Sequence, residues 1–393
     1  MIRLILIILG LAVGLEPSLA AGIQVHAVRV GDDSSRTRLV VELSQKVKYT
    51  IFALDNPRRI VINLPPVQFP ENVPAVSGMV KAMRFGQFSV TQSRVVVDLG
   101  APAKVERNFI LPPASGFPHR LVIDLVRTDA ARFTEQVAAY RSAKLKTATA
   151  ARPKPTPITP KAKKSDSKPT IVIDAGHGGV DPGALGRKTK EKSVTLSFAR
   201  ELAKQLKATG RYRVYLTRSR DIYIPLRRRV AIARERGASL FISIHADALA
   251  RKKVRGLSIY TLSENASDKE AAALARKENQ SDIVAGVDFE EYPEAADTLL
   301  ALAQRETKNL SVRFASMVTK RANKQTRLLE RPHRFAGFRV LKAPDVPSVL
   351  IELGFLTNRQ DEKQLRAASW RKKVASALRI AIDDYFKAIP ISF

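Results

Sequence analysis

Hydrophobic and polar positions follow two different periods along this chain, and the change of period divides it. From Gly22 to about Arg127, apolar residues come in short β-branched runs. One template returns four times: RLVVEL at Arg38–Leu43, RIVINL at Arg59–Leu64, RVVVDL at Arg94–Leu99 and RLVIDL at Arg120–Leu125. Each copy opens on a basic residue, crosses apolar positions favoured in strands, and closes on Asp, Glu or Asn followed by Leu, so each predicts a strand. Proline and glycine punctuate the intervals at Asn56-Pro57, Pro65-Pro66, Gly100 to Pro102 and Pro112-Pro113. Short strands with such turns predict a small all-β, sandwich-like domain over residues 22–127. It carries no histidine cluster or carboxylate pair of catalytic kind, so binding is its expected role.

From Pro169 onward, apolar runs of strand length alternate with stretches of helical spacing. Strands are predicted at Ile171–Asp174, Tyr212–Thr217, Ser239–Ile244, Gly256–Leu262 and Ser348–Ile351. Helices are predicted over Ser193–Ala208, from Pro225 to about Arg236, over Thr298–Ala322 and over Ala367–Phe386. In the first helix Leu196, Ala199, Leu202, Ala203 and Leu206 share one face, and Gly210 stands just past its end. Alternation of this kind predicts an α/β domain over residues 169–393, with a mostly parallel sheet covered by helices. An Ala-rich, charged insertion at about 263–297 interrupts it. Its part NASDKEAAALARKENQSDIVAG, Asn265 to Gly286, has few large apolar residues, which predicts a helix that docks weakly and can move as a lid.

Between the two domains, residues 128–168 are rich in Ala, Lys, Thr and Pro. This stretch reads as a semi-extended tether, with room for a short helix before about Ala150. At the start, Met1 to Ala20 combines a charge at Arg3, an apolar run from Leu4 to Leu15, and Ser18-Leu19-Ala20. That is the pattern of a secretory signal peptide, with a run too short to span a bilayer, so no stable membrane span is expected after cleavage.

Composition narrows the chemistry. Cysteine is absent from the 393 residues, so any metal must sit on His, Asp and Glu. The formal net charge of +30 suits an anionic wall or membrane surface. A nucleic-acid partner is not expected behind an export signal, and no basic stretch is interleaved with aromatics.

Three predicted strands end on groups able to bind metal or move protons: His177 after IVIDAG, His245 in ISIHAD and Glu352 in SVLIEL. Two imidazoles and a carboxylate, with one position left to water, make the ligand set of a hydrolytic zinc site. Glu191 lies just before the first helix among Lys188, Lys190 and Lys192, and by itself reads as a solvated charge or a first-turn carboxylate sooner than as a ligand. Asp174 and Asp247 are candidate partners for the far ring nitrogens of the imidazoles. The glycines at 176, 178 and 179 do not make a phosphate loop, since position 181 is Asp and no G-K-[ST] follows. His245, Asp247 and His333 imitate the facial triad of a non-haem iron enzyme, with His333 expected in a loop. A wall-binding protein without catalysis is the other alternative.

Taken together, IVIDAGHGGVDPGA, EKSVTL, SLFISIHAD and FRVLKAPDVPSVLIELGFLTN resemble the zinc-dependent N-acetylmuramoyl-L-alanine amidases of the Amidase_3 type. The upstream strands, including LDNPRRIVINL, resemble the AMIN domain, and the combination is similar to the AmiB and AmiC branch of Gram-negative bacteria. The resemblance implies zinc on His177, Glu191 and His245, with Glu352 as the catalytic glutamate. It further implies a peptidoglycan substrate, a periplasmic location at the division septum, and targeting to the septal wall by the N-terminal domain. A helix of the insertion would close the site through an inhibitory glutamate, Glu278 in first place and Glu270 in second. An activator of the LytM type would displace it.

Overall fold

The computed structural model describes residues 22–33, 35–149, 168–288 and 301–389. The expected signal segment, the second half of the tether and the end of the insertion lie outside the described residues.

The N-terminal domain is a sandwich of two sheets built around the repeated template. Its strands are β1 (Ile23–Asp32), β2 (Thr37–Leu43), β3 (Thr50–Leu54), β4 (Arg59–Leu64), β5 (Val67–Gln68), β6 (Val80–Gln87), β7 (Ser93–Leu99), β8 (Ala103–Leu111) and β9 (His119–Arg127). One sheet has the order β5-β1-β2-β9-β8 and the other β3-β4-β7-β6. The four template copies are β2, β4, β7 and β9, and they pair centrally as β2 with β9 and β4 with β7, both antiparallel. Antiparallel pairing sets the basic start of one copy against the polar end of the other: Arg38 opposite Asp124, Glu42 opposite Arg120, Arg59 opposite Asp98 and Asn63 opposite Arg94. Arg38 Nε donates to Asp124 Oδ1 at 2.6 Å, and Arg94 Nε to Asn63 Oδ1 at 2.8 Å. The alternate positions, among them Leu39, Val41, Ile60, Ile62, Val95, Val97, Leu121 and Ile123, fill the core between the sheets. The tether begins as a longer helix than expected, α1 (Ala130–Thr149), because Phe133 and Val137 enter the same core and anchor it.

The second domain continues with β10 (Thr170–Ala175), α2 (Glu191–Ala208), β11 (Arg213–Leu216), α3 (Leu226–Glu235), β12 (Leu240–His245) and β13 (Leu257–Leu262). Then come α4 (Lys269–Glu278), α5 (Ser281–Val284), α6 (Ala301–Ala322), β14 (Leu328–Ala336), β15 (Ser348–Glu352), α7 (Arg359–Arg366) and α8 (Ala368–Ala388). The sheet has the order β11-β10-β12-β15-β13-β14, parallel throughout except between β13 and β15. Residues of α2, α6 and α8 pack one face, and α3, α4 and the Phe338–Leu341 turn the other. This is the expected α/β architecture behind a small β domain.

Two elements differ from the sequence expectation. His333 lies in β14 and not in a loop, its ring Nε2 3.1 Å from Thr261 Oγ1. The charged alternation of LLERPHRFA hides a strand at the edge of the sheet. Helix α7 was unpredicted because Leu365 is its one apolar residue; Asn358 caps it by accepting from the N–H groups of Gln360 and Asp361.

Register brings the site together. Ala175 pairs with Ile244, and His245 with Glu352, so β10, β12 and β15 end at one edge of the sheet. That edge is the carboxyl end of parallel strands, where α/β proteins gather ligands.

Candidate metal centre

The loop leaving β10 turns at once. His177 adopts a left-handed backbone with φ 58°, which is unusual for a residue with a side chain. Buried arginines hold the turn in place. Arg229 donates to Asp174 Oδ1 and Ala175 O at 2.8 Å each and to His177 O at 2.9 Å, while Arg218 reaches Ala175 O and Gly176 O at 2.9 Å. Gly176 is required by close approach: a Cβ there would stand 2.4 Å from Cε1 of His245.

Four side chains converge beyond this turn. The ligand-capable atoms of His177, Glu191, His245 and Glu278 lie within 4.8 Å of one another, and all four residues are buried. His177 Nε2 is 3.2 Å from Glu191 Oε1 and 3.3 Å from Glu278 Oε2; His245 Nδ1 is 3.2 Å and 3.1 Å from the same two oxygens. A tetrahedral zinc with ligands at roughly 2.0 Å has ligand-to-ligand edges of about 3.3 Å, so the spacing fits such an ion. His177 Nε2 has no hydrogen-bond partner despite complete burial, as befits a lone pair aimed at a cation.

Position explains each group. Glu191 is the first residue of α2, and its carboxylate also accepts from Ala184 N at 2.8 Å and Ala246 N at 2.9 Å. It is therefore a buried first-turn carboxylate that also belongs to the cluster, and not a solvated charge. Glu278 is the last residue of α4, so its helix must lie over the site for it to reach in. Glu270, on the same helix, turns away to Arg251 and Arg334.

Electrostatics reflects the crowding. Burial pulls the His177 imidazolium down, yet the carboxylates of Glu191, Asp181 and Glu278 outweigh it and hold the ring well above its ordinary value. At His245, burial is likewise outweighed by Glu278 and Glu191, and the group rises to about 10. The same imidazoles outweigh burial at Glu278 and bring it down to about 2. Glu352 behaves oppositely: burial, aided by Glu191, Asp247 and Glu278 and opposed by His245, holds its carboxyl well above the carboxylate range. Its Oε2 accepts from Asp247 N at 3.0 Å, and its Oε1 is buried without a partner.

Asp174 and Asp247 do not take the expected places behind the imidazoles. Asp174 is the strand residue before Ala175, and its oxygens accept from Thr217, Ser243 and Arg229. Asp247 meets Lys277 of α4, and burial with the neighbouring Glu191 and Glu278 carboxylates pushes it up to about 6. The residue that orients His177 is Asp181, Oδ2 2.9 Å from Nδ1, which the sequence reading missed. Its signal was the spacing of four from the histidine in GHGGVDPG, close enough for a turn to fold it back. The iron-type triad is not assembled, because Asp247 and His333 face other partners and neither belongs to the cluster.

This chain matches the family model described as N-acetylmuramoyl-L-alanine amidase over residues 171–384, and the AMIN domain model over 27–125. It belongs to the N-acetylmuramoyl-L-alanine amidase family. The amidase is 37% identical over 382 residues to N-acetylmuramoyl-L-alanine amidase AmiC of Escherichia coli O6:H1, covering 94% of this chain and 91% of that protein. It is 34% identical to the protein of the same name from Neisseria meningitidis serogroup B, covering 92% and 90%. Against AmiA of Escherichia coli K12 the identity is 41% over 230 residues, 58% of this chain and 79% of that one.

Proposed function

We propose that this amidase is a zinc enzyme that hydrolyses the amide between N-acetylmuramic acid and the L-alanine of the peptidoglycan stem peptide. His177, Glu191 and His245 would hold the ion, and Glu352 would be the catalytic residue. The observation that carries this reading is the set of buried ligand atoms spaced to suit one tetrahedral cation. A zinc ion there would polarise the amide carbonyl and lower the pKa of an attacking water towards about 7. Glu352, with Oε2 fixed by the Asp247 N–H, would take the water proton once a bound cation and the departure of Glu278 relieve the burial and neighbouring negative charge that keep its carboxyl protonated. As the C–O bond forms and the C–N bond breaks, it would return that proton to the leaving alanine nitrogen. Asp181 keeps the His177 ring turned by accepting from Nδ1. The products are a glycan strand with a free lactyl carboxylate and a stem peptide with a free amino terminus.

The resting enzyme would be autoinhibited. Glu278 occupies the fourth corner of the cluster, where water and carbonyl must enter, so α4 must leave before substrate binds. A LytM-type activator suits that task. Export by the signal at residues 1–20, work in the periplasm at the septal wall, and a part in daughter-cell separation complete the reading. Residues 22–127 would recognise the wall, 128–168 would link, and 169–393 would carry catalysis with the lid at about 263–297.

Digestion of purified sacculi, with and without a candidate activator, tests the activity. Mass spectrometry should find stem peptides beginning with alanine and glycan lacking them, with activity removed by chelation and restored by zinc. Products carrying new reducing ends, or cuts within the peptide, would overturn the assignment.

A further inference from the structure

The α5 part of the lid does not rest on the catalytic domain alone. After α5 the chain crosses the outer face of the sheet β3-β4-β7-β6, where three arginines from three adjacent strands meet its backbone. Arg59 Nη1 of β4 donates to Ile283 O at 2.6 Å, Arg84 Nε of β6 to Val284 O, and Arg94 Nη1 of β7 to Ala285 O and Gly286 O at 3.2 Å and 2.7 Å. The final carbonyls of a helix lack partners within it and carry partial negative charge, so guanidinium donors suit them. Around these bonds Phe52, Leu54, Val61 and Val96 share one apolar cluster with Ala285 and Val287 of the lid and Val180 and Tyr223 of the catalytic domain.

The same face also grips the loop that carries His177. A Cβ on Gly86 would stand 2.5 Å from Gly179 C, and one on Gly179 would stand 1.7 Å from Gln87 O. Tyr223 N donates to Gln87 O at 3.2 Å, and the Tyr223 hydroxyl donates to Asp282 of α5 at 2.7 Å. The N-terminal domain therefore bridges both sides of the site, the fixed loop and the removable helix.

We propose that the N-terminal domain has a second function as the latch of the lid: its β3-β4-β7-β6 face holds α5, and through it Glu278, over the metal centre. The proposal rests on the autoinhibition reading above. Undocking this face removes four carbonyl contacts from the lid at once, so departure of the domain and opening of the site are coupled. By linkage, whatever draws the lid out also loosens the domain. The kind of partner this face fits is thus a helix C-terminus with a small-residue turn, supplied here by the chain itself.

The full-length zinc-loaded protein is tested with two independent lesions, the double variant Arg84→Ala/Arg94→Ala and Gly86→Ala, beside Glu278→Ala. Release of dye from labelled sacculi is measured without activator, and amide exchange is followed over residues 271–286. Each latch variant should raise basal hydrolysis on the order of tenfold and speed lid exchange, with zinc content unchanged. Combining the arginine variant with Glu278→Ala should add little, since both act through one lid. A rise with Glu278→Ala alone, with basal hydrolysis and lid exchange unmoved in both latch variants, overturns the latch and leaves autoinhibition standing. No rise in any variant, Glu278→Ala included, means that autoinhibition itself fails and the latch with it.

Discussion

The buried cluster of His177, Glu191, His245 and Glu278 draws on regions of very different firmness. His177 and His245 extend from β10 and β12, both buried along their whole length and flanked by parallel strands. Glu278 comes from a ten-residue helix whose other buried residues are Ala271, Leu274 and Ala275. One leucine and two alanines contribute about 2 to 4 kcal/mol of burial, whereas the central strands share the stability of the entire domain core. Equal distances to a common centre thus conceal unequal anchorage. On the proposed reading, the groups carried by the sheet would leave only when the domain unfolds, whereas Glu278 would leave by local opening of its helix.

Changing His245→Ala should have the largest effect, since it removes a sheet-borne ligand that no neighbour can replace. Bound zinc and hydrolysis should fall together, activity by on the order of 10^3-fold or more, with the melting of the N-terminal sandwich unchanged. Retained zinc in that variant would show that the cluster is only a hydrogen-bonded network. Glu352→Gln separates holding from chemistry: metal content should stay as it is while hydrolysis falls roughly 10^2- to 10^4-fold. Glu278→Ala sharpens the contrast from the other side. Its zinc content should persist and its activator-free hydrolysis should rise about tenfold or more, the opposite sign from the sheet-borne change.

The difference in anchorage also explains what could be read in advance. Strand ends at His177, His245 and Glu352 were legible because an unbroken apolar run must be buried, and a carboxylate closing such a run needs a reason to be there. Glu191 was not, because three lysines nearby suggest solvent while its own backbone turns inward to Ala184. Asp181 escaped because its role depends on the left-handed turn at His177, and nothing in residue type announces that conformation at a histidine. Arg59 and Arg94 were visible as the openings of a repeat, yet their carbonyl partners lie 224 and 191 residues away along the chain. The insertion was expected to dock weakly for want of large apolar residues, and the residues that α4 buries are Ala271, Leu274, Ala275 and Glu278. Ala271, Leu274 and Ala275 belong to one apolar cluster with Tyr260 and Phe338, and Lys277 of the same helix pairs with Asp247.

The cap of the lid helix gives the smallest and most selective test. Asp268 is the N-cap of α4, and its Oδ1 accepts from Ala271 N at 2.9 Å. Losing such a cap costs a helix about 1 kcal/mol, so Asp268→Ala should raise basal hydrolysis by about fivefold, less than the removal of Glu278. The sign with pH follows from the group's environment. Burial raises the Asp268 carboxyl, but the Ala271 N–H, the Ser267 hydroxyl and Arg334 together outweigh it and lower the group below its ordinary value. A carboxylate lowered on folding stabilises the folded lid fully above its unfolded pKa of about 3.9, and that stabilisation is lost as the pH falls through the folded value. Lid exchange should therefore respond to Asp268→Ala equally at pH 7 and pH 5, and the difference between variant and parent should shrink only below about pH 4. A difference that vanished by pH 5 would mean that the cap is not what holds the start of the helix.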